Sequence, residues 1–186
     1  MIYSQKQIPL KDGGTAILRA PEMRDAPVLI NLLKTVYAET HFLSSYPEEI
    51  TLSREDEERW IAGHRESPLV YDILCEIDGE IVGSCNLLRK KQIKMRHRAT
   101  VGITIKQKYW NLGIGTAMFR EMIALARAWG VEQLELEYVE GNERGVRLYE
   151  KMGFRTVAER PRAIRLRDGT YLSEFIMIKD LQRSTP

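Results

Sequence analysis

Two glycines at the start of a helix are the residues of this chain whose spacing most directly indicates chemistry. Residues 101–120 begin as an alternating strand, pass through a polar turn and enter a helix at residues 111–116, where Gly113 and Gly115 stand two apart. The first N–H groups of a helix lack backbone partners, and the helix macrodipole places about half a positive charge there. Glycines leave these N–H groups uncovered, so such a turn binds anions. We therefore predict that a phosphate-bearing cofactor sits on this turn.

The glycine spacing excludes two common phosphate-binding motifs. The chain contains no G-x-x-x-x-G-K-[ST] sequence, and residues 111–115 lack the first glycine and the spacing of G-x-G-x-x-G. A dinucleotide-binding domain also requires an N-terminal strand–helix–strand unit with an acidic residue after its second strand, and none is arranged so here. The turn must therefore belong to a different class of cofactor site.

A strand–helix–strand unit is predicted to position this turn. The helix that follows the turn carries an apolar stripe at helical spacing, and Gly130 ends it. Residues 131–139 then form an apolar strand interrupted by acidic residues. A strand, a helix and a second strand in this order form a right-handed crossover, which makes the two strands parallel. The helical stripe consists of Met118, Met122, Leu125, Ala126 and Trp129.

The rest of the chain is predicted to complete one mixed α/β sheet flanked by helices. Strands are indicated at residues 15–19, 70–77, 80–88, 154–160, 163–167 and 171–179, with hairpin turns at Asp78-Gly79 and Asp168-Gly169. Asp25 is expected to cap a first helix, and Ser53 with Asp56 a second one. The inward residues of these two helices are predicted to be Leu29, Ile30, Leu33, Val36, Tyr37, Trp60 and Ile61. A single domain is expected over residues 1–186, with its core at about 15–180.

The composition restricts compartment and partners. Lys and Arg total 28 against 26 Asp and Glu, a balance that argues against nucleic acid. With 44% hydrophobic residues, no long apolar run and no apolar leader, the chain is expected to be soluble, cytoplasmic and independent of membranes. Cys75 and Cys85 lie out of register in the predicted hairpin, so we interpret them as buried free thiols. No metal site is predicted.

Two motifs together resemble the GCN5-related N-acetyltransferase (GNAT) family. The family's cofactor signature, [Q/R]-x-x-G-x-[G/A], is matched by residues 110–115, although Trp110 replaces the usual Gln or Arg. A second family motif, Asn-x-x-x-x-x-Leu-Tyr-x-x-x-Gly-Phe, matches at every defining position from Asn142 to Phe154. The resemblance implies a mixed, mostly antiparallel sheet with a splayed parallel strand pair, and acetyl-CoA as cosubstrate.

The resemblance also assigns roles to residues around the turn. The pantetheine arm would enter the gap between the splayed strands and pair with the backbone of Ile103 and Ile105. Backbone amides of the turn would hold the pyrophosphate, and a Cβ at Gly113 or Gly115 would stand between the backbone and the phosphate. Asn142 would bind the pantetheine or fix the splayed strand. The predicted cofactor-binding residues are Ile103, Thr104, Ile105, Asn111, Leu112, Gly113, Ile114, Gly115, Thr116, Asn142 and Tyr149.

Acetyl transfer to an amine requires a proton acceptor and a proton donor. Tyr149 alone would be interpreted as a core residue of its helix, but the motif implies that it is the general acid that protonates the thiolate. Glu137 resembles the glutamate of the ribosomal-protein N-terminal acetyltransferases, which implies a general base, partly desolvated beside the acetyl site. His97, Glu76 and a chain of water molecules are the alternatives for the base.

The acceptor has no motif of its own. The resemblance implies a primary amine of a small molecule or of a peptide or protein N-terminus. The acidic residues 48–58 favour a cationic amine, and the basic residues 89–98 favour an acidic substrate. The alternative function is a non-catalytic acyl-CoA-binding regulatory module, and transfer of a longer acyl group stays open. Exposed strand edges would permit a homodimer.

Overall fold

The strands form one sheet in the order β1-β2-β3-β4-β5-β6-β8-β7 in the computed structural model, which describes residues 2–182. Helices α1 and α2 precede β3, α3 connects β5 to β6, and α4 follows β6. The strands are β1 Lys6–Pro9, β2 Thr15–Arg19, β3 Val70–Ile77, β4 Glu80–Arg89, β5 Arg98–Ile105, β6 Gln133–Val139, β7 Arg155–Arg165 and β8 Tyr171–Asp180. The helices are α1 Ala26–Glu39, α2 Arg54–Glu66, α3 Ile114–Ala128 and α4 Glu143–Lys151.

All neighbouring strands are antiparallel except β5 and β6, which are parallel. These two strands pair only from Arg98 to Thr100 and from Gln133 to Glu135. Beyond that point β5 continues to Ile105 and β6 to Val139 without pairing with each other, so these two strands splay apart. The predicted mixed, mostly antiparallel sheet with a splayed parallel pair is confirmed.

Two hydrophobic clusters cover the two faces of the sheet. Leu74 on β3 packs with α1 and α2, whereas its neighbours Ile73 and Cys75 pack in the cluster that contains α3. Successive side chains of a strand point to opposite faces of the sheet. The helices α1 and α2 therefore lie on one side of the sheet, and α3 and α4 lie on the other. The buried residues of α3 include Met118, Met122 and Ala126 of the predicted apolar stripe, and also Phe119, which the stripe did not include.

The turn signals of the sequence act as expected. Asp78 and Gly79 have φ angles of 50° and 80°, which is the backbone that a two-residue hairpin requires. Ser53 and Asp56 form the predicted capping box at the start of α2. Cys75 lies opposite Gly83 and Cys85 opposite Ile73, so the two thiols are free and buried. Burial raises the pKa of both thiols, and that of Cys75 to about 12.

Several local predictions were wrong. Asp25 precedes α1, but its carboxylate accepts hydrogen bonds from Arg19 at 2.7 and 2.9 Å and does not cap the helix. Trp60 is 41% exposed, and its ring lies against that of His64 at a centroid distance of 3.8 Å and a tilt of 40°, so of Trp60 and Ile61 only Ile61 points inward. Leu32 is fully buried while Ile30 and Leu33 are half-buried, because the buried face of α1 is rotated slightly.

Two strands differ from their predicted bounds. Strand β1 was missed because Lys6–Pro9 is short and lacks an alternating apolar pattern. Strand β7 is one strand interrupted by two register shifts, where two strands were predicted. Within residues 2–182, no helix has the length and apolar content to cross a membrane, and no group of metal-ligating side chains is placed to hold an ion.

Candidate active site

A cavity of about 710 Å³ opens where β5 and β6 diverge. One end, on the face of the sheet that carries α3, is bordered by the turn before α3 and by α4. The other end, on the face that carries α1, is bordered by the end of α1 and the loop after it, next to the end of β6. The cavity brings together most of the predicted site residues: Ile103, Thr104, Ile105, Asn111, Gly113, Ile114, Gly115, Thr116, Glu137, Asn142 and Tyr149. Leu112 does not border the cavity, and its carbonyl instead accepts a hydrogen bond from the Lys11 N–H.

The backbone of β5 presents alternate residues to this gap. The Lys106 N–H donates to the Val82 carbonyl at 2.9 Å, and β4 and β5 pair without a register shift. In an antiparallel ladder every second residue bonds to one neighbour, so Thr104 also bonds to β4. The polar backbone groups of Ile103 and Ile105 therefore face the gap, and those of Thr104 do not. The Thr104 hydroxyl lies 3.1 Å from that of Ser84.

Trp110, the residue that departs from the signature, has two contacts. Its indole Nε1 donates to the Ile105 carbonyl at 2.8 Å, which occupies one acceptor position on the gap side of β5. The Arg144 guanidinium lies 4.6 Å from the centre of the indole ring and donates to the Asn111 side-chain oxygen. Trp110 therefore links the end of β5 to the first turn of α4 across the polar turn.

The polar turn leaves the start of α3 open. Asn111 and Gly113 have φ angles of 69° and 91°, in the left-handed region, and α3 begins at Ile114. No side chain caps this helix, and its first turn contains no acidic residue. Its first N–H groups therefore remain available to an anion.

Gly115 has a packing role as well as its predicted one. A Cβ at this position would lie 2.7 Å from Cδ2 of Leu148 on α4 and 3.6 Å from Cδ1 of Ile105 on β5. Real side chains essentially never approach so closely, so Leu148 would have to move. The glycine lets α3 and α4 pack closely beside the gap.

Tyr149 is buried against the core with an unpaired hydroxyl. The residue is 9% exposed, and its ring makes an edge contact with Phe119 at a centroid distance of 5.6 Å. Among residues 2–182, no group is hydrogen bonded to its hydroxyl. Burial raises the pKa of Tyr149 to about 12, so the phenol keeps its proton at neutral pH. A protonated phenol on the cavity wall can act as a proton donor.

Asn142 and Glu137 differ from what their predicted roles imply. The Asn142 side-chain oxygen accepts from the Gly145 N–H at 3.0 Å and so caps α4, and the residue borders the cavity with its NH₂ group still available as a donor. Glu137 borders the cavity, but its side chain is 53% exposed and lies 3.9 Å from the Arg160 guanidinium. The expected partial desolvation of Glu137 is therefore absent.

The other candidates for a base lie away from the cavity. His97 and Glu76 do not border it, and Glu76 accepts from Arg19 at 2.7 Å. The acidic and basic segments expected to influence the acceptor do not border it either. Their side chains form local ion pairs, such as Arg54 with Glu58 and Arg98 with Glu135.

Sequence reasoning missed residues that come from distant parts of the chain. Lys11 borders the cavity from the turn between β1 and β2, and Val36, Glu39, Phe42 and Leu43 border it from α1 and the following loop. The Glu39 carboxylate accepts from the Gln107 N–H at 2.7 Å. No spacing rule connects these residues to the glycines, since only the fold brings them together.

Glu80 holds the segment before the polar turn. Its carboxylate accepts from Lys106 at 2.7 Å, Tyr109 at 2.7 Å and Lys108 at 3.1 Å. The hydrogen bonds from Lys106, Tyr109 and Lys108 lower the pKa of Glu80 to about 2. This carboxylate therefore ties the start of β4 to the residues that lead into the turn.

Comparisons with known proteins agree with this geometry. The profile of the acetyltransferase (GNAT) family matches residues 33–154. The chain is 23% identical over 164 residues to the L-amino acid N-acetyltransferase AaaT of Escherichia coli K12, covering 88% of this chain and 96% of that protein. Among solved structures, a GNAT-family acetyltransferase from Streptococcus pneumoniae superposes with a TM-score of 0.83 at 29% identity, covering 89% of this chain and 99% of that one.

A further solved structure is similar in fold and contains a cofactor. It is a putative acetyltransferase from Salmonella typhimurium with its cofactor acetyl-CoA, with a TM-score of 0.77 and 15% identity over 91% of this chain and 95% of that one. The family profile covers well over half of the chain, and the splayed strands and open helix start have the form that the two motifs predicted. This chain is a member of the acetyltransferase (GNAT) family.

Proposed function

We propose that the protein transfers the acetyl group of acetyl-CoA to a primary amine. One observation carries the proposal: the cavity at the splayed strands brings the gap-facing backbone of β5, the open start of α3 and the protonated Tyr149 phenol together. The backbone of β5 can pair with an extended chain, the start of α3 can bind an anion, and the phenol can donate a proton. Acetyl-CoA has the three matching parts, namely a pantetheine arm, a pyrophosphate and a thiolate leaving group.

The residues fit this cosubstrate in a definite order along the cavity. The polar turn with the first amides of α3 would hold the pyrophosphate. The backbone of Ile103 and Ile105 would pair with the amides of the pantetheine arm, and the Asn142 NH₂ group would donate to it. Acetyl-CoA supplies the activated acetyl group as a thioester.

The chain's own residues would manage the protons of the transfer. Tyr149 would donate its phenolic proton to the sulfur as it leaves, because its hydroxyl is unpaired and stays protonated at neutral pH. Glu137 would receive the proton of the ammonium group, directly or through a water molecule. Because its carboxylate is exposed to solvent, a water-mediated route suits Glu137 better than direct contact.

Glu137→Gln tests this role through the pH dependence of the reaction. If Glu137 is the base, the acidic limb of the kcat/KM profile shifts or disappears in the variant. An unchanged acidic limb would remove Glu137 from the role and leave a chain of water molecules as the acceptor.

The acceptor is proposed from the walls at the far end of the cavity. Val36, Phe42, Leu43 and Tyr138 are apolar or aromatic, and the carboxylates of Glu39 and Glu137 also border the cavity, the latter 3.9 Å from the Arg160 guanidinium. These walls favour an amine that carries a positive charge and an apolar group, in a small molecule or at a peptide N-terminus. Because the E. coli relative is named for L-amino acids, these are the first acceptors to test.

A panel of amines tests the function. Release of CoA from acetyl-CoA is measured with amino acids, simple amines, polyamines and short peptides, and the acetylated product is identified with labelled acetyl-CoA. We expect turnover with at least one apolar primary amine. Saturable acetyl-CoA binding without transfer to any acceptor would favour the non-catalytic regulatory module. The absence of acetyl-CoA binding would overturn both functions.

A further inference from the structure

Two cationic side chains approach the polar turn from outside the signature, and neither has an acidic partner among residues 2–182. Lys11 comes from the turn between β1 and β2, and Arg144 comes from the first turn of α4. Both border the cavity. Neither residue belongs to the glycine motif.

Lys11 is held against the turn by its backbone, and its side chain passes beside Gly113. Its N–H donates to the Leu112 carbonyl at 3.1 Å. A Cβ built on Gly113 would lie 3.5 Å from Cγ and 3.9 Å from Cε of Lys11, so the methylene chain runs alongside this glycine. The ammonium group is one bond beyond Cε, which puts it close to the start of α3.

Arg144 is held on the turn by Trp110 and Asn111. The guanidinium lies over the indole ring at 4.6 Å and donates to the Asn111 side-chain oxygen, which is uncharged. The ring fixes the plane of the guanidinium without neutralising it. Neighbouring Glu143 pairs instead with Arg147 at 3.4 Å.

The charges around the turn are therefore unbalanced. The positive end of the α3 dipole has no acidic residue in its first turn, and two cations lie beside it. Positive charges gathered in this way repel one another unless an anion joins them. A ligand that carries negative charge would therefore be stabilised at this turn.

We propose that Lys11 and Arg144 bind the pyrophosphate of acetyl-CoA, and that Trp110 serves this role by positioning Arg144. This inference rests on the proposed function. Trp110 leaves the first position of the signature without the usual Gln or Arg, and two cations distant from it in the chain lie at the turn instead. The pyrophosphate is assigned, and not the 3′-phosphate, because both side chains contact the turn that leads into α3.

Calorimetric titrations of Lys11→Met and Arg144→Gln test the assignment. Each variant is titrated with acetyl-CoA, with acetyl-dephospho-CoA, which lacks the 3′-phosphate, and with S-acetylpantetheine, which lacks every phosphate. Loss of one charge-assisted contact at an exposed site should weaken binding of the first two ligands by on the order of tenfold, equally for both. S-acetylpantetheine should bind wild type and variants alike.

Two controls separate this effect from damage to the fold or a change in net charge. Lys34→Met and Arg120→Gln remove exposed cations outside the cavity and should leave all three affinities unchanged. Without ligand, Lys11→Met should melt at the same temperature as wild type or higher, since it relieves repulsion at the start of α3. A structural lysine would give a lower melting temperature.

The possible failures are distinguishable. If wild type binds acetyl-CoA and both variants bind it equally well, the inference is wrong and the proposed function stands. If the variants lose affinity for acetyl-CoA alone, the two side chains serve the 3′-phosphate and the pyrophosphate assignment is wrong. If wild type itself fails to bind acetyl-CoA, the proposed function is wrong.

Discussion

The two ends of the cavity are built in different ways. The proposed cofactor end is built mainly on one continuous segment, residues 101–116, through backbone groups of β5 and of the first turn of α3, and side chains of Lys11 and α4 add to it. The acceptor end combines side chains of α1 and its following loop with side chains of β6, about a hundred positions later in the chain. Backbone groups depend on local geometry, whereas a pocket of side chains depends on how distant elements pack.

This difference explains why the sequence supports a prediction for one end and not for the other. A helix that starts at a glycine with positive φ exposes its amides whatever the rest of the chain does, so two glycines suffice to indicate the site. Phe42 and Tyr138 become neighbours of one cavity only through the complete fold. Variants at the cofactor end should therefore change the affinity for acetyl-CoA, and variants at the acceptor end should change the KM for the amine.

Tyr149→Phe should have the largest effect, because Tyr149 is the proposed proton donor. If Tyr149 is the general acid, turnover should fall by about 10²- to 10⁴-fold, the usual contribution of such catalysis. Acetyl-CoA affinity should stay within about twofold, because the ring and its contact with Phe119 remain.

Tyr3→Phe is the matched control for this variant. It removes the hydroxyl of another buried tyrosine, one that donates to Glu121 at 3.0 Å and does not border the cavity. It should lower the free energy of unfolding by about 1 kcal/mol and leave turnover unchanged. Equal turnover of Tyr149→Phe and wild type would exclude the acid role.

Phe42→Ala tests whether the acceptor end is independent of the cofactor end. The half-buried ring lies 3.5 Å from the position that a Cβ on Gly141 would take, and it forms part of the apolar wall. Its loss should raise KM for an apolar amine by about tenfold, the scale expected for a lost apolar contact in a pocket. Acetyl-CoA affinity, measured by calorimetry, should not change.

A surface control accompanies the Phe42 variant. Ile93→Ala truncates a side chain that is 76% exposed and outside the cavity. It should change neither the KM for the amine nor the affinity for acetyl-CoA. If Phe42→Ala weakened acetyl-CoA binding as strongly as acceptor binding, the two ends would not be separate.

Gly115→Ala tests the packing that keeps the gap open. Displacing Leu148 should lower the free energy of unfolding by about 1–3 kcal/mol, as other overpacking substitutions do, and should weaken acetyl-CoA binding. Gly63→Ala is the control, because a Cβ there would meet no atom within 4 Å and α2 should gain about 0.5–1 kcal/mol. Chemical unfolding and calorimetry measure both quantities. Wild-type stability in Gly115→Ala would show that Leu148 adapts freely.

Glu80→Gln should have the smallest effect and tests whether the cofactor end is preformed. Hydrogen bonds lower the pKa of Glu80 to about 2 in the folded state, so its contribution to stability is present above the unfolded pKa of about 4.5. The difference in unfolding free energy between wild type and variant should be constant near neutral pH and shrink as pH falls from about 4.5 toward about 2. Glu66→Gln, at an exposed carboxylate, should give a difference close to zero throughout. A pH-independent difference for Glu80→Gln would contradict the ion-pair account.

The sequence predicted the order of most elements, and the failures have physical causes. The parallel pair β5 and β6 followed from the crossover rule, and Gly79 and Gly130 marked real turns. Asp25 fails as a cap because Arg19, on another element, competes for its carboxylate. Trp60 follows the helical period but faces solvent, because periodicity does not fix which neighbour covers a face.

The residues of the candidate site likewise divide into those predicted from local motifs and those that depend on distant parts of the fold. The turn and Tyr149 were predicted from local motifs, whereas Lys11 depends on β1, a strand too short to show a pattern. The exposure of Glu137 depends on strands β7 and β8, which follow it in the chain. Trp110 is explained only when α4 brings Arg144 onto its ring.

Amide hydrogen exchange of β5, followed by NMR, tests the central claim most directly. If the pantetheine arm of acetyl-CoA pairs with the gap side of β5, saturating acetyl-CoA should slow exchange of the Ile103 and Ile105 amides. The Thr104 amide, already bonded to β4, should serve as the internal reference and change little. Unchanged exchange of Ile103 and Ile105 in the presence of bound acetyl-CoA would contradict the assignment of this gap as the cofactor site.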